Sequence, residues 1–157
     1  MQYALKTITF NTIKPIWEQN LWSGRNSKVK THSSMTWPFD SDVEYNMEIY
    51  KYPATYWALL VDNVIIGVNS GHKTSDNQYR SRGLWIEEEF RGKKMGQFLL
   101  NVASSQALVE RCNMIWSIPR KSALKTYHQA GFIGQGDIFA TETSDANIYA
   151  SKLIIIG

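Results

Sequence analysis

Between Glu89 and Leu100 the chain reads EFRGKKMGQFLL, a run that sets three cations and two glycines directly before an apolar helical pattern. Arg91, Lys93 and Lys94 fall where that helix must begin. The start of a helix carries unpaired N–H groups and the positive end of the dipole. Each exposed cation there is unfavourable by roughly 0.3–1 kcal/mol. A bound anion removes the conflict, and helix N-termini are ready anion sites. Gly92 and Gly96 have no side chains, so phosphate oxygens can come close to the backbone. The turn therefore reads as a pyrophosphate cradle, with a solvated basic turn as the competing reading. Two familiar phosphate motifs are excluded. No G-x-x-x-x-G-K-[ST] is present, and Gly134-Gln135-Gly136 lies inside a later strand pattern without a third glycine.

The elements on either side must hold this turn in place. Gly83-Leu84-Trp85-Ile86 is a short apolar run of strand formers within a predicted strand from Tyr79 to Glu87. Met95, Phe98, Leu99, Val102, Ala103 and Ala107 then recur at three- and four-residue steps, which predicts one helix to about Cys112. Upstream, Tyr3 to Phe10 reads as a strand, and Thr12 as the cap of a helix to about Trp22 with Pro15 in its first turn. Ser23 to Asp42 is polar and mixed, predicting a loop with room for one short helix. Thr55 to Val61 and Val64 to Val68 form a hairpin pattern around Asp62-Asn63, and Asn69 to Asn77 reads as a long loop. Downstream come a strand from Met114 to Ile118, a helix from Ser122 to Ala130 ended by Gly131, and strands from Phe132 to Ala140 and Asn147 to Ile156. An antiparallel first half followed by alternating strands and helices predicts an α+β domain around one mixed sheet.

Arg91-Gly92-Lys93-Lys94-Met95-Gly96 resembles the acetyl-CoA signature [Q/R]-x-x-G-x-[G/A] of the GNAT superfamily of N-acetyltransferases. Arg91 fills the first position and Gly96 the last. Lys94 stands at the usual first glycine and should therefore need a backbone angle open to a non-glycine residue. Ser122 to Phe132 is similar to the family's later A-x-x-x-Y-x-x-x-G-F motif through Ala123, Tyr127 and Gly131-Phe132. Arg120 stands where the family often has an Asn. The resemblance covers residues 56–140, and before that only the order of elements matches. It implies a single domain over residues 1–157, with a mixed sheet of about seven strands flanked by helices and splayed between strands four and five. Acetyl-CoA is the implied co-substrate, held by Ile86, Arg91, Gly92, Lys93, Lys94, Met95, Gly96 and Gln97.

Acetyl transfer from a thioester to an amine needs a deprotonated amine, a donor for the oxyanion and a proton for the departing thiolate. Tyr127 occupies the place where many family members carry the general acid, and a phenol with a pKa near 10 stays protonated at neutral pH. The backbone N–H of Ile86 corresponds to the family's oxyanion or pantetheine contact. The Glu that some members use as a base is replaced by Arg80. Glu87 and His72 are the other candidates, although Glu87 reads as a solvated acid and His72 as an exposed loop residue; a water chain is the alternative base. Between Ser34 and Tyr56, Trp37, Phe39, Tyr45, Tyr50, Tyr52 and Tyr56 alternate with Asp40, Asp42, Glu44 and Glu48. That mixture suits a cationic small molecule or peptide end, or else packs on the sheet. The acceptor amine itself stays open.

Composition narrows the classes. The 157 residues fit one domain that buries about two-thirds of its unfolded surface. A net charge of +3 with scattered cations, apart from a weak Arg25–Lys30 cluster, argues against a nucleic-acid partner. The single Cys112 excludes an internal disulfide and reads as a small buried hydrophobe. His32, His72 and His128 show no metal-ligand spacing, so no metal is expected. No signal-like segment opens the chain and no eighteen-residue apolar run occurs, which predicts a cytoplasmic protein without a membrane partner. A homodimer is left open. A non-catalytic acyl-CoA-binding module remains the alternative to an enzyme.

Overall fold

The second strand of the computed structural model is buried on both faces, and the layers follow from that. Its residues Trp57, Leu59 and Val61 point to one side of the sheet, Tyr56, Ala58 and Leu60 to the other, and each set joins a separate core. The structure describes residues 1–25, 27–40, 47–141 and 144–155. The seven strands are β1 (Tyr3–Ile8), β2 (Ala54–Val61), β3 (Val64–Ser75), β4 (Gln78–Ile86), β5 (Met114–Ser117), β6 (Ile133–Thr141) and β7 (Ser144–Leu153). They form one sheet in the order β1-β2-β3-β4-β5-β7-β6, antiparallel except where β4 meets β5. Helix α1 (Phe10–Asn20) places Ile13 and Trp17 in one core. Helices α2 (Met95–Val109) and α3 (Leu124–Gln129) cover the opposite face, where Leu99, Leu100, Ala103 and Tyr127 enter the other. No helix among the described residues is long and apolar enough to cross a membrane.

Local sequence explains most of these elements. Asp62 and Asn63 both take positive φ, 49° and 68°, as a two-residue hairpin turn with the sheet's own twist requires. Gly131 ends α3 at φ 95°. Three expectations are corrected. Thr9, not Thr12, caps α1, and its hydroxyl accepts from the Thr12 amide at 3.3 Å. Pro15 consequently lies beyond the first turn of α1, and the burial of Ile13 and Trp17 offsets the backbone bond it forgoes. Asn69 to Ser75 is not a loop but the second half of β3. Its polar side chains are buried and paired: Ser70 Oγ donates to Arg82 O at 2.6 Å, and Asn69 Nδ2 to Ser81 Oγ at 2.9 Å. Buried polar pairing of this kind is invisible to a reading based on hydropathy.

Pairing between β4 and β5 is short. It runs from Gln78↔Met114 to Arg80↔Trp116, and Ser117 Oγ makes one further link to Ser81 O at 2.7 Å. Beyond that point β4 contains a bulge: Val68 pairs with Trp85 and Ser70 with Arg82, so Gly83 and Leu84 oppose Asn69 alone. Gly83 has φ 78°, and a Cβ there would sit 2.3 Å from Trp17 Nε1, which itself donates to Gly83 O at 2.8 Å. A bulge bends its strand, and β4 leaves β5 here. Gly83→Ala combines a left-handed backbone with overpacking and should cost about 2–4 kcal/mol. Thermal denaturation is expected to show a melting temperature lower by roughly 5–15 °C; an unchanged value would mean that the bulge tolerates a side chain.

Candidate active site

The gap opened between β4 and β5 is a cleft of about 1000 Å³. Its walls are the end of β4, the segment after β5, the turn before α2, and α3. Described residues between Leu21 and Met35 line it as well, and β2, β3 and β4 hold Lys30 to Ser33 through named bonds. Arg82 Nη1 donates to Lys30 O at 2.8 Å, Tyr56 Oη to Thr31 O at 2.9 Å, and the Ser33 amide to His72 Nε2 at 3.1 Å.

At the near end stands the basic turn. Gly92 has φ 75° and Lys94 φ 66°, and the first helical bond of α2 runs from the Phe98 amide to Lys94 O at 3.0 Å. The amides of Met95, Gly96 and Gln97 therefore precede any helical acceptor, and Lys94 provides no side-chain cap. Nothing lies within 4 Å of a Cβ built on Gly92, so its glycine character answers to conformation. Gly96 answers to contact, because its Cβ would meet Thr126 Cγ2 at 3.0 Å. Lys94 takes the left-handed region, φ 66° and ψ 15°, which is open to a non-glycine residue at a cost of about 1–2 kcal/mol.

Seven of the eight residues expected at acetyl-CoA line the cleft. The exception is Lys93, which is exposed and lies over the Phe90 ring at 5.6 Å. Arg91 folds back so that Nε donates to Ile86 O at 2.9 Å, and Gln97 Nε2 reaches Gln129 O at 3.0 Å. Successive strand residues turn their backbone groups to opposite edges. The Glu87 amide donates to Ile66 O on β3 at 2.7 Å, so the Ile86 amide faces the other edge, into the gap. This arrangement can seat a polyanion at backbone amides and lead an extended chain inward beside β4. Tyr127 lines the same cleft, 5% exposed, edge-on to Phe132 with centroids 5.5 Å apart. Burial raises its pKa, opposed by a hydrogen bond with Ser117 and the charge of Arg80, so the phenol stays protonated at neutral pH.

The base candidates fare differently. Glu87 is exposed and outside the cleft. His72, expected in an exposed loop, is 1% exposed in β3. Its Nδ1 donates to Lys73 O at 2.9 Å and its Nε2 accepts from Ser33, so both ring nitrogens are engaged. Among the aromatic and acidic residues of Ser34 to Tyr56, Tyr50 lines the cleft whereas Asp40 does not. Trp37 instead packs with Phe39, Trp116 and Tyr149. Asp42, Glu44 and Tyr45 and the side chain of Glu48 lie outside the described residues. Sequence reading missed Arg82 and gave Arg80 only the role of a lost carboxylate. The available signal was the alternation Gln78, Arg80, Arg82, which puts three polar residues on one face of a strand.

Three kinds of similarity bear on this geometry. The sequence matches the family model described as Acetyltransferase (GNAT) family over residues 21–132. No curated protein matches it significantly. The fold is similar to that of Ard1 from Thermoplasma volcanium, at TM-score 0.69 and 13% identity over 99% of this chain and 100% of that one. It is similar to an IAA acetyltransferase from Bacillus cereus, at TM-score 0.70 and 15% identity over 97% of this chain and 99% of that one. A GNAT family acetyltransferase from Elizabethkingia anophelis, solved with acetyl-CoA bound, aligns at TM-score 0.64 and 14% identity over 96% and 97% of the two chains.

Burial lowers the His72 pKa to about 3, helped by the charges of Arg80, His32 and Arg82 and opposed by the Lys73 carbonyl. A depressed histidine pKa means that the unfolded chain binds the extra proton first. Stability from this residue is complete above about pH 6.5 and falls as the pH drops toward 3, by up to about 1.4 kcal/mol per pH unit. Denaturant titrations between pH 7 and 4 should show a shallower pH slope for His72→Gln than for the wild type. Parallel slopes would contradict a buried neutral His72.

Proposed function

Because the chain belongs to the GNAT acetyltransferase family, we propose that residues 1–157 form one domain that moves an acetyl group from acetyl-CoA to a primary amine by direct attack. The observation that carries this reading is the cleft itself: helix-start amides and cations at one end, a strand edge beside it, and a protonated buried phenol facing the same space. The residues present fit acetyl-CoA. The amides of Met95, Gly96 and Gln97 with Arg91 and Lys94 suit its pyrophosphate, and the β4 edge at Ile86 suits its extended arm. Bound there, acetyl-CoA supplies an electrophilic thioester carbonyl.

The chain's own groups then take three roles. The Ile86 amide donates to the carbonyl oxygen as negative charge develops on it. Tyr127 protonates the departing sulfur; its raised pKa suits a donor and rules it out as a base at neutral pH. Trp22, Ser33, Met35 and Tyr50, which line the cleft, limit what amine can enter. The engagement of both His72 ring nitrogens leaves amine deprotonation to solvent, through water entering the open cleft.

Thiol release from acetyl-CoA against an amine panel tests the reading, with Tyr127→Phe as the informative variant. General-acid assistance contributes about 10²–10⁴-fold. With water as a partial substitute, kcat should fall at least about tenfold, while acetyl-CoA affinity by calorimetry changes little. A Phe variant with wild-type kcat would make Tyr127 a packing residue. Saturable acetyl-CoA binding without thiol release from any amine would favour an acyl-CoA-binding module.

A further inference from the structure

Arg80 and Arg82 are 8% and 4% exposed, and both line the cleft at the end away from the basic turn. Neither meets a carboxylate among the described residues. Arg80 Nη1 donates to Ser33 Oγ, its guanidinium lies over Trp116 at 5.1 Å, and its buried Nε has no partner among the described residues. Arg82 donates to Lys30 O and is packed on Trp17 and Trp22 at 4.9 and 5.0 Å. Burial lowers their pKa values to about 10 and about 9, which still leaves both charged at neutral pH.

Buried cations of this kind are costly unless paired. Among the described residues the cleft provides no relief, since every charged residue lining it is Arg or Lys. Pyrophosphate at the basic turn is too far away to provide it. Six strand steps separate Arg80 from Ile86, a span of up to about 20 Å at 3.3 Å per residue, far beyond hydrogen-bond reach. Arg82 has an evident structural task in tethering residues 21–35. Arg80 has an unsatisfied nitrogen and a fixed orientation, held by Ser33, whose amide is in turn held by His72. A guanidinium held in this way is preorganised for bidentate pairing with an oxyanion.

We infer that the acceptor amine carries its own oxyanion, a carboxylate or a phosphate, and that Arg80, supported by Arg82, holds it at the far end of the cleft. The inference rests on the acetyl-transfer reading, and it replaces the cationic acceptor suggested by the acids of residues 34–56. Asp40, the one of those acids whose side chain is described, stays out of the cleft, whereas the described charged residues that line it are Arg and Lys.

The test compares amines with twins that lack the anion: glycine with methylamine, phenylalanine with phenethylamine, and O-phosphoethanolamine with ethanolamine. Thiol release from acetyl-CoA should favour the anionic member of at least one pair by about 10²-fold in kcat/KM, the worth of one charge-assisted hydrogen-bonded pair. A preference in the first two pairs assigns a carboxylate; one in the third assigns a phosphate. Arg80→Met should reduce the preference at least tenfold without changing the KM for acetyl-CoA, and any change it makes through the Tyr127 phenol should fall equally on the neutral twin and cancel in the ratio. Arg80→Lys, which keeps the charge, should restore part of it. Equal rates for all twins, or an Arg80→Met defect shared equally by both members of a pair, would overturn the inference; the second result would make Arg80 a stabiliser of the reacting oxygen. If no amine is acetylated, the acetyl-transfer reading fails by itself. The anion subsite is then judged by calorimetry of N-acetylglycine and O-phosphoethanolamine on protein saturated with coenzyme A. Binding abolished in Arg80→Met keeps the subsite, and absent binding removes it.

Discussion

Three residue pairs and one side-chain link from Ser117 to Ser81 join β4 to β5, and the remaining architecture is organised around where that pairing stops. A parallel pair left to itself would continue, since every unpaired amide on a buried strand is costly. Here the Gly83 bulge bends β4, and the Trp17 indole from α1 occupies the space that a side chain at Gly83 would need. Its Nε1–H bonds to the Gly83 carbonyl, so packing and hydrogen bonding hold the same distortion. The two cores are thereby linked. Helix α1 on one face fixes a strand irregularity whose consequence is a cleft bordered by α2 and α3 on the other.

The cleft's two ends work by different physics. At the turn before α2, the groups on offer are backbone amides, and side chains matter chiefly for letting the backbone turn. Gly92 is required by its φ and Gly96 by its contact with Thr126, while Lys94 accepts a strained angle. At the Arg80 end, the groups on offer are side chains. Arg80 and Arg82 are buried against tryptophan faces and oriented through Ser33 and Lys30. A backbone cradle can be preserved while sequence drifts, which suits a part that binds one invariant molecule. Side-chain recognition changes with single substitutions, which suits the part that selects an acceptor.

This division also explains what the sequence disclosed. The Asp62-Asn63 hairpin, the α2 face from Met95 to Ala107 and the Gly131 stop are local signals, and each lies where periodicity and turn chemistry put it. The glycine-bearing basic turn before α2 was legible for the same reason, because it is a local pattern. The second half of β3 was not, because Asn69, Ser70, His72 and Thr74 are buried through partners distant in sequence. Arg80 and Arg82 escaped for a related reason. Charged residues are ordinarily solvated, and nothing short-range reveals that these two are enclosed by Trp116, Trp17 and residues 21–35.

The central claim is that the cleft between β4 and β5 seats acetyl-CoA with its pyrophosphate on the amides that start α2. Site-resolved amide hydrogen exchange, measured with and without acetyl-CoA at about a hundred times its dissociation constant, tests this most directly. Exchange at Met95, Gly96, Gln97 and Ile86 should slow by up to about a hundredfold, while amides of β1 and β6, on the sheet's outer edges, should change much less. Unaltered exchange at those four amides, with protection appearing elsewhere or nowhere, would contradict the account.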